Sequence, residues 1–359
     1  MSRALPDHLR NILELARWAP SGDNTQPWRF EILGDEHILV HGFDTRDHVV
    51  YDRDGHASQL AVGALLETMT VAATTQGRQT AIERRPGTAE NHLLFDVRFT
   101  PVNSLTVDPL AACIETRVVQ RRPMSTRPLS PEQKDALIAA LPQDFNVTWF
   151  EDWAQRWRLA RFMFDNAKVR LTIPEAYEVH SAVIEWGAQF SEDKIPEQAV
   201  GVDPVTARIM RWAMASWERI AFFNKYLLGD LPPRLQLDLL PGLLCGAHFA
   251  LQAPKPLGGI DDFIAAGRAM QRFWLTATQL GWLIQPEMTP VIFTRYFRHK
   301  LAFSETRGAR ERVGKLNRQL IQFLGESSVE CLFFIGRIGS GPAPTARSTR
   351  KPVEMLLLA

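Results

Sequence analysis

Cysteine is almost missing from this chain: Cys113, Cys245 and Cys331 are the only three in 359 residues. Odd in number and far apart, they form neither a disulfide framework nor a zinc knuckle, which points to a reducing compartment. An excess of either charge is missing too, because 41 basic and 40 acidic residues leave a net charge of +1. No global field therefore draws the chain to nucleic acid or to an anionic membrane, and basic residues matter only where they cluster. No run of roughly 18 apolar residues occurs, so no membrane-spanning helix is expected. The first stretch interrupts its apolar positions with Asp7, Arg10 and Glu14, the pattern of an amphipathic helix rather than a signal peptide. These absences together predict a cytoplasmic protein.

Several common site motifs are also lacking. No strand is followed by G-x-G-x-x-G or G-x-x-x-x-G-K-[ST], which removes the dinucleotide-fold and P-loop readings. His37 and His41 lie four apart on an expected strand with no third ligand nearby, so no metal site is expected. No Ser-His-Asp or Cys-His order stands out.

The hydrophobic content of 45% is that of an ordinary globular chain. The pattern predicts a helix from Pro6 or Asp7 to about Trp18, broken by Pro20-Ser21-Gly22-Asp23. Strands are expected over Trp28–Leu33 and Ile38–Phe43, around a Gly34-Asp35 turn. An apolar helix over 56–77 and a strand over Leu93–Thr100 follow. A second unit opens near Leu110, with a helix over 131–141 and a strand over Asn146–Phe150. Residues 155–250 read as mainly helical, with the Trp and Phe residues of 212–223 taken as lid or core packing. A helix over 261–281, a helix over 305–324 and a strand over Val329–Ile338 precede an irregular basic tail. This is a mixed α+β pattern, not a regular βα alternation.

A faint internal repeat runs through that order. Pro20 and Asn24 recur as Pro142 and Asn146, and Gly63 with Gly77 recurs as Gly267 with Gly281. The first offset is about 122 residues and the second about 204, so the second copy carries roughly 80 extra residues, which fall within 155–250.

Three stretches carry candidate chemistry. In Ala16–Phe30, Pro20 ends a helix, Ser21 and Gly22 make a tight turn, and Asn24 and Gln26 add amides beside Trp28. Such a surface can bond the edge of a planar heterocycle; a turn held by Asx hydrogen bonds is the plain alternative. Arg117 and Arg121 sit four apart and can converge on one phosphate, or can belong to a solvated basic loop. Arg347 and Arg350 lie in the tail, which otherwise reads as a disordered basic end.

The first stretch resembles the A-P-S-x-x-N-x-Q-P-W segment of the nitroreductase family, whose members hold FMN at a dimer interface. Ile114–Met124 is similar to the family's I-x-x-R-x-S-x-[RK]-x-F opening, with Val119 where Ser or Thr is common and Met124 where an aromatic is common. The resemblance implies an α+β nitroreductase-like fold of mixed or antiparallel sheets surrounded by helices, duplicated within one chain as a pseudo-dimer. It implies a first lobe over 1–108 and a second over 109–359, intertwined, with 155–250 as a helical lid.

The resemblance further implies that Pro20, Ser21, Gly22, Asn24 and Gln26 approach an FMN held by Arg117, Val119, Arg121, Arg347 and Arg350. The backbone of Leu283, Ile284 and Gln285, followed by Pro286, would lie near flavin N5, where a donor stabilises charge on the reduced ring. The A-P-S-x-x-N motif occurs only in the first half and the basic opening only in the second, so one FMN site remains. The implied activity moves hydride from NADPH or NADH through FMN to a small electron-poor acceptor such as a nitroaromatic or quinone. The alternatives are an FMN-sequestering regulatory flavoprotein whose lid blocks nicotinamide, and a dedicated biosynthetic oxidase or dehydrogenase. A pseudo-dimeric monomer is expected, with a homodimer left open.

Overall fold

The computed structural model describes residues 5–358; Met1–Ala4 and Ala359, at the outer limits of the two expected lobes, lie outside them. The first half runs α1 (Asp7–Ala16), β1 (Trp28–Gly34), β2 (His37–Phe43), α2 (His56–Thr74), β3 (Arg78–Arg84) and β4 (His92–Pro101). In α1, Leu9, Ile12, Leu13 and Ala16 are buried, one stripe at helical spacing. The four strands form one antiparallel sheet in the order β1-β2-β4-β3.

The second half repeats this plan with insertions. It runs α3 (Pro131–Ala139), β5 (Asn146–Phe150), α4 (Trp153–Leu171), α5 (Pro174–Val183), α6 (Pro204–Ala213) and α7 (Trp217–Tyr226). Then come β6 (Ala247–Gln252), α8 (Ile260–Gln279), β7 (Leu283–Pro286), α9 (Thr289–Arg298), α10 (Ala309–Leu324) and β8 (Leu332–Gly339). Capping boxes start α3 at Ser130 and Gln133 and α4 at Asp152 and Gln155. The second sheet, read from β5, has the order β5-β6-β8-β7 and is antiparallel throughout. That is the order of the first sheet, so the duplication holds at the level of topology. Where the first half has only a tight turn between β1 and β2, the second inserts residues 151–246.

The two halves meet where α2 crosses α8. A Cβ on Gly63 would lie 2.2 Å from the Ile264 carbonyl oxygen, and one on Gly267 would lie 2.1 Å from that of Leu60. Each glycine and each carbonyl is the counterpart of the other at an offset of about 204 residues, as a two-fold relation requires. Both helices are buried along most of their length. Beside the crossing, Gln271 Nε2 donates to Thr68 Oγ1 at 3.0 Å, and Glu67 accepts from Arg268 and Arg272. The chain end returns to the first half: Phe30 N–H donates to the Leu356 carbonyl and Leu358 N–H to the Phe30 carbonyl, both at 2.8 Å. Val353 and Leu356 are buried in the first core.

Several sequence expectations change. Asn146 is the first residue of β5, whereas Asn24 stands ahead of β1, so these two asparagines are not equivalent. Leu283–Gln285, expected as a loop, belongs to strand β7. Strand β6 lies inside the stretch read as helical; all six of its residues are buried, so no alternation marks it. The tail is irregular but ordered, with Arg347–Ser348 paired in parallel to Phe190–Ser191.

The crossing yields a test. Gly267→Ala places a methyl group against backbone that cannot turn aside, and is expected to destabilise the chain by about 3 kcal/mol or more. Gly258→Ala, whose Cβ would meet nothing within 4 Å, should leave the urea midpoint unchanged. Equal midpoints for the two variants would show that the helices do not cross this closely.

Candidate functional site

The turn before β1 is the most strained segment of the chain. Asp23, Asn24 and Gln26 all have positive φ, at 49°, 62° and 49°. Non-glycine residues adopt this conformation at a penalty that the surroundings must offset. Here the surroundings are the insertion and the tail. Asn24 Nδ2 donates to the carbonyls of Glu192 (3.1 Å), Thr349 (3.2 Å) and Lys194 (3.4 Å). Gln26 Nε2 donates to Glu192 O and Asn24 O, while its Oε1 accepts from Lys351 N–H. Ser21 Oγ accepts from Gln26 N–H at 3.0 Å. Gln26 therefore holds the turn instead of presenting a free amide, which corrects the simplest reading of the motif. Asn24 keeps a buried Oδ1 without a partner.

Beside this turn, three buried or half-buried arginines come together from two distant segments. Arg117 donates to the Trp18 carbonyl at 2.9 Å and lies 4.6 Å over the Trp274 ring. Arg350 Nε donates to the Ala19 carbonyl at 3.1 Å. Arg347 donates to the carbonyls of Glu115 (2.8 Å) and Arg117 (3.3 Å), and sits 4.7 Å over Trp18. None of the three donates to a carboxylate among the described residues, and Nε of both Arg117 and Arg347 is buried without a partner. Burial, followed by the charges of Arg350 and Arg347, holds the Arg117 guanidinium well below its ordinary value. Burial, with Arg347 and Arg17, brings Arg350 down to about 9. Mutually repelling cations with spare donors are the environment that a multiply charged anion stabilises.

Arg121 does not join them. The segment after Ile114 is extended, so spacing by four does not bring the two guanidiniums to one point. Arg121 Nη1 instead donates to the Ala199 carbonyl, and its electrostatic neighbours are Asp23 and Arg337. The same segment runs along β7: Val119 pairs with Ile284, and Gln120 N–H donates to the Ile284 carbonyl at 3.1 Å. The sequence-selected stretches at 20–26, 117–121, 283–286 and 347–350 thus form one continuous region.

Residues of the insertion come close to this region. Asp23, Tyr51, Arg121, Arg170, His180 and Asp238 are half-buried and near enough to act on one another electrostatically. The Tyr51 hydroxyl meets His180 Nε2 at 2.9 Å, and Arg170 pairs with Asp238 at 2.7 Å. Deeper in, Glu287 bridges His248 (2.8 Å) and Arg337 (3.1 Å). A small cleft of about 40 Å³ opens beside Asp23 and Tyr51, with Gly22, Thr25, Asp52 and Ser58 also in its wall. Burial dominates the protonation states: it raises Asp23 against the opposing charge of Arg121, and raises the Tyr51 hydroxyl. Sequence reasoning missed Tyr51, Arg170, His180 and Asp238, because they come from a short turn and the insertion, where no motif marks them. His37 and His41, set aside as metal ligands, bond to Asp96 and Glu31.

Comparisons with known proteins agree with the motif's position. Residues 5–52 match the model of the nitroreductase family. An uncharacterized protein of Mycobacterium tuberculosis is 36% identical over 101 residues, covering 27% of this chain and 29% of its own length. Another from that organism, named as a candidate NAD(P)H nitroreductase, is 33% identical over 143 residues, covering 39% of this chain and 41% of its own. A further uncharacterized protein from the same species is 23% identical over 357 residues, covering 95% of this chain and 47% of its own length. The chain therefore spans less than half the length of each of these relatives. A crystal structure of a nitroreductase-like family protein from Bacillus cereus superposes at a TM-score of 0.34 and 13% identity, over 70% of this chain and 95% of its own, too distant to bear on the site.

Burial and Arg170 depress His180 to about 3 from its ordinary value of 6.5. The folded protein keeps this ring neutral while the unfolded chain takes up a proton, so stability is lost as pH falls from about 6.5 toward 3. His180→Asn is expected to flatten this part of a Tm-against-pH curve; an unchanged slope would show that His180 is not held neutral in the folded protein.

Proposed function

We infer that this chain is a member of the nitroreductase-like family and a flavin-dependent oxidoreductase that holds FMN and draws electrons from NADPH or NADH. The observation that carries the reading is the cluster of Arg117, Arg347 and Arg350, buried or half-buried, bonded to no carboxylate among the described residues and, at Arg117 and Arg347, left with unpartnered donors beside the strained turn. Those residues fit a dianionic phosphate. When bound, FMN supplies the redox chemistry, taking hydride at N5 from the nicotinamide and giving it to a small electron-poor acceptor such as a nitroaromatic or quinone.

The protein's own part is binding, orientation and electrostatics. Arg117, Arg347 and Arg350 hold the phosphate end. Pro20, Ser21, Gly22 and Asn24 present the turn, and Gln26 fixes its shape. Val119, Arg121 and the Leu283–Pro286 strand would hold the ring end, where a backbone N–H of Leu283, Ile284 or Gln285 would stabilise charge on the reduced flavin. We divide the chain into a first lobe (1–108) and a second (109–359) whose insertion acts as a lid, so that a single chain completes one site. A second reading, in which the protein sequesters FMN, draws support from insertion residues close to the turn: His180 Nε2 meets the Tyr51 hydroxyl at 2.9 Å, and the Arg170–Asp238 pair acts on Tyr51 electrostatically.

Two measurements separate these readings. Anaerobic addition of NADPH or NADH should bleach the flavin band within the mixing time of an ordinary titration; a band that persists would favour sequestration. Arg117→Ala with Arg350→Ala is expected to lower FMN affinity on the order of a hundredfold, as for loss of two charge-assisted contacts. Full occupancy in that double variant would overturn the phosphate assignment.

A further inference from the structure

The helical insertion carries an apolar face that the site does not use. Helix α7 buries none of its ten side chains, although Trp217, Ile220, Phe222, Phe223 and Tyr226 are among them. On α6, Val205 (64% exposed), Ile209 (51%) and Trp212 (53%) follow one another at helical spacing. On α7, Phe222 (53%) and Tyr226 (61%) continue the surface, and Leu227 (58%) and Leu228 (65%) follow at the C-terminal end of the helix. Trp212 packs against Phe223 at 5.5 Å and Phe222 against Tyr226 at 5.0 Å, so the two helices share one aromatic face. Of the Trp and Phe residues of 212–223, expected as lid or core packing, Trp217 and Phe223 are half-buried, whereas Trp212 and Phe222 stand out from the fold. A contiguous exposed patch of this kind marks an interaction surface.

Charge identifies the partner. Residues 204–228 contain Arg208, Arg211, Arg219 and Lys225 against a single acid, Glu218, and all five side chains are exposed. The basic groups flank the apolar ones: the Arg219 guanidinium lies 4.8 Å over Trp212, and Lys225 Nζ lies 5.0 Å over Tyr226. A second copy of the chain would bring this positive face against its own like, which repels. Exposed leucines beside exposed Trp and Tyr, with a basic border, match the interface of an anionic lipid bilayer. The near-zero net charge of the whole chain hid this local excess. Among the described residues no helix is long and apolar enough to cross a membrane, and surface attachment needs none.

We propose that the α6–α7 hairpin is a peripheral membrane-binding element that inserts Leu227, Leu228 and Trp212 into the interfacial region of anionic lipid, with Arg208, Arg211 and Lys225 facing the headgroups. The proposal stands apart from the flavin assignment and can fail or succeed without it.

Co-sedimentation of the full chain with vesicles tests it, comparing phosphatidylcholine alone with an equal mixture of phosphatidylglycerol and phosphatidylcholine. The chain is expected to sediment with the mixed vesicles and not with phosphatidylcholine, and to be released by high salt. Arg211→Glu with Lys225→Glu should weaken partition on the order of tenfold or more. Leu227→Glu with Leu228→Glu should abolish it; both leucines are over half exposed, so the thermal transition should stay unchanged. Failure to bind the anionic vesicles overturns the proposal, as does binding that both variants retain. A dimer in sedimentation velocity that Leu227→Glu with Leu228→Glu converts to monomer, without vesicle binding, would assign the face to a second copy and overturn it as well.

Discussion

Everything in this molecule hangs on the approach of two helices at Gly63 and Gly267. Each glycine lets its helix lie against a backbone carbonyl of the other, closer than any side chain would allow. The contact is reciprocal, so it acts as the axis of an internal two-fold relation and sets the two four-stranded sheets around it. With that axis in place, the turn of one half and the basic segments of the other fall into one region. A looser crossing would move them apart, because the turn packs against α2 and residues 109–113, which lead into Arg117, pack against α8.

Duplication within a single chain relaxes the demands on each copy. Where a symmetric pair needs every contact twice, a fused pair keeps one set and can remodel the other. The first half keeps the strained turn at 20–26, and the second keeps Arg117 with the Arg347–Arg350 tail. In the second half, the segment between α3 and β5 is short and cannot form an equivalent turn. The retained turn is bound tightly by foreign chain: Asn24 and Gln26 reach carbonyls of the insertion and the tail. Three positive-φ residues persist there because the rest of the fold over-determines them. The arginines extend the same logic, since their mutual repulsion is offset by the backbone carbonyls they meet and would be offset further by a bound anion.

Much of this was legible in the sequence, for identifiable reasons. The hairpin of β1 and β2, the helices α2 and α8 and the glycine repeat carry strong local signals of period, turn and spacing. The motif residues were singled out by their resemblance to a family segment, because their chemistry alone left a plain turn open. Strand β6 was hidden because both its faces are buried and its hydrophobic run has no period. The parting of Arg117 from Arg121 was hidden because spacing by four implies convergence only on a helix, and that segment is extended. Tyr51, Arg170, His180 and Asp238 meet only through tertiary packing, which no local pattern encodes. The exposed face of α6 and α7 was misread because apolar periodicity reports amphipathicity without saying whether protein covers the apolar side.

The central claim is that one chain, folded as a fused pair, retains a single complete flavin site. The stoichiometry of FMN bound per polypeptide, measured by equilibrium titration with sedimentation velocity to fix the mass of the holoprotein, tests it most directly. One FMN per chain is predicted, saturating without a second chain. Two equivalent FMN per chain, or no binding at all, would contradict it.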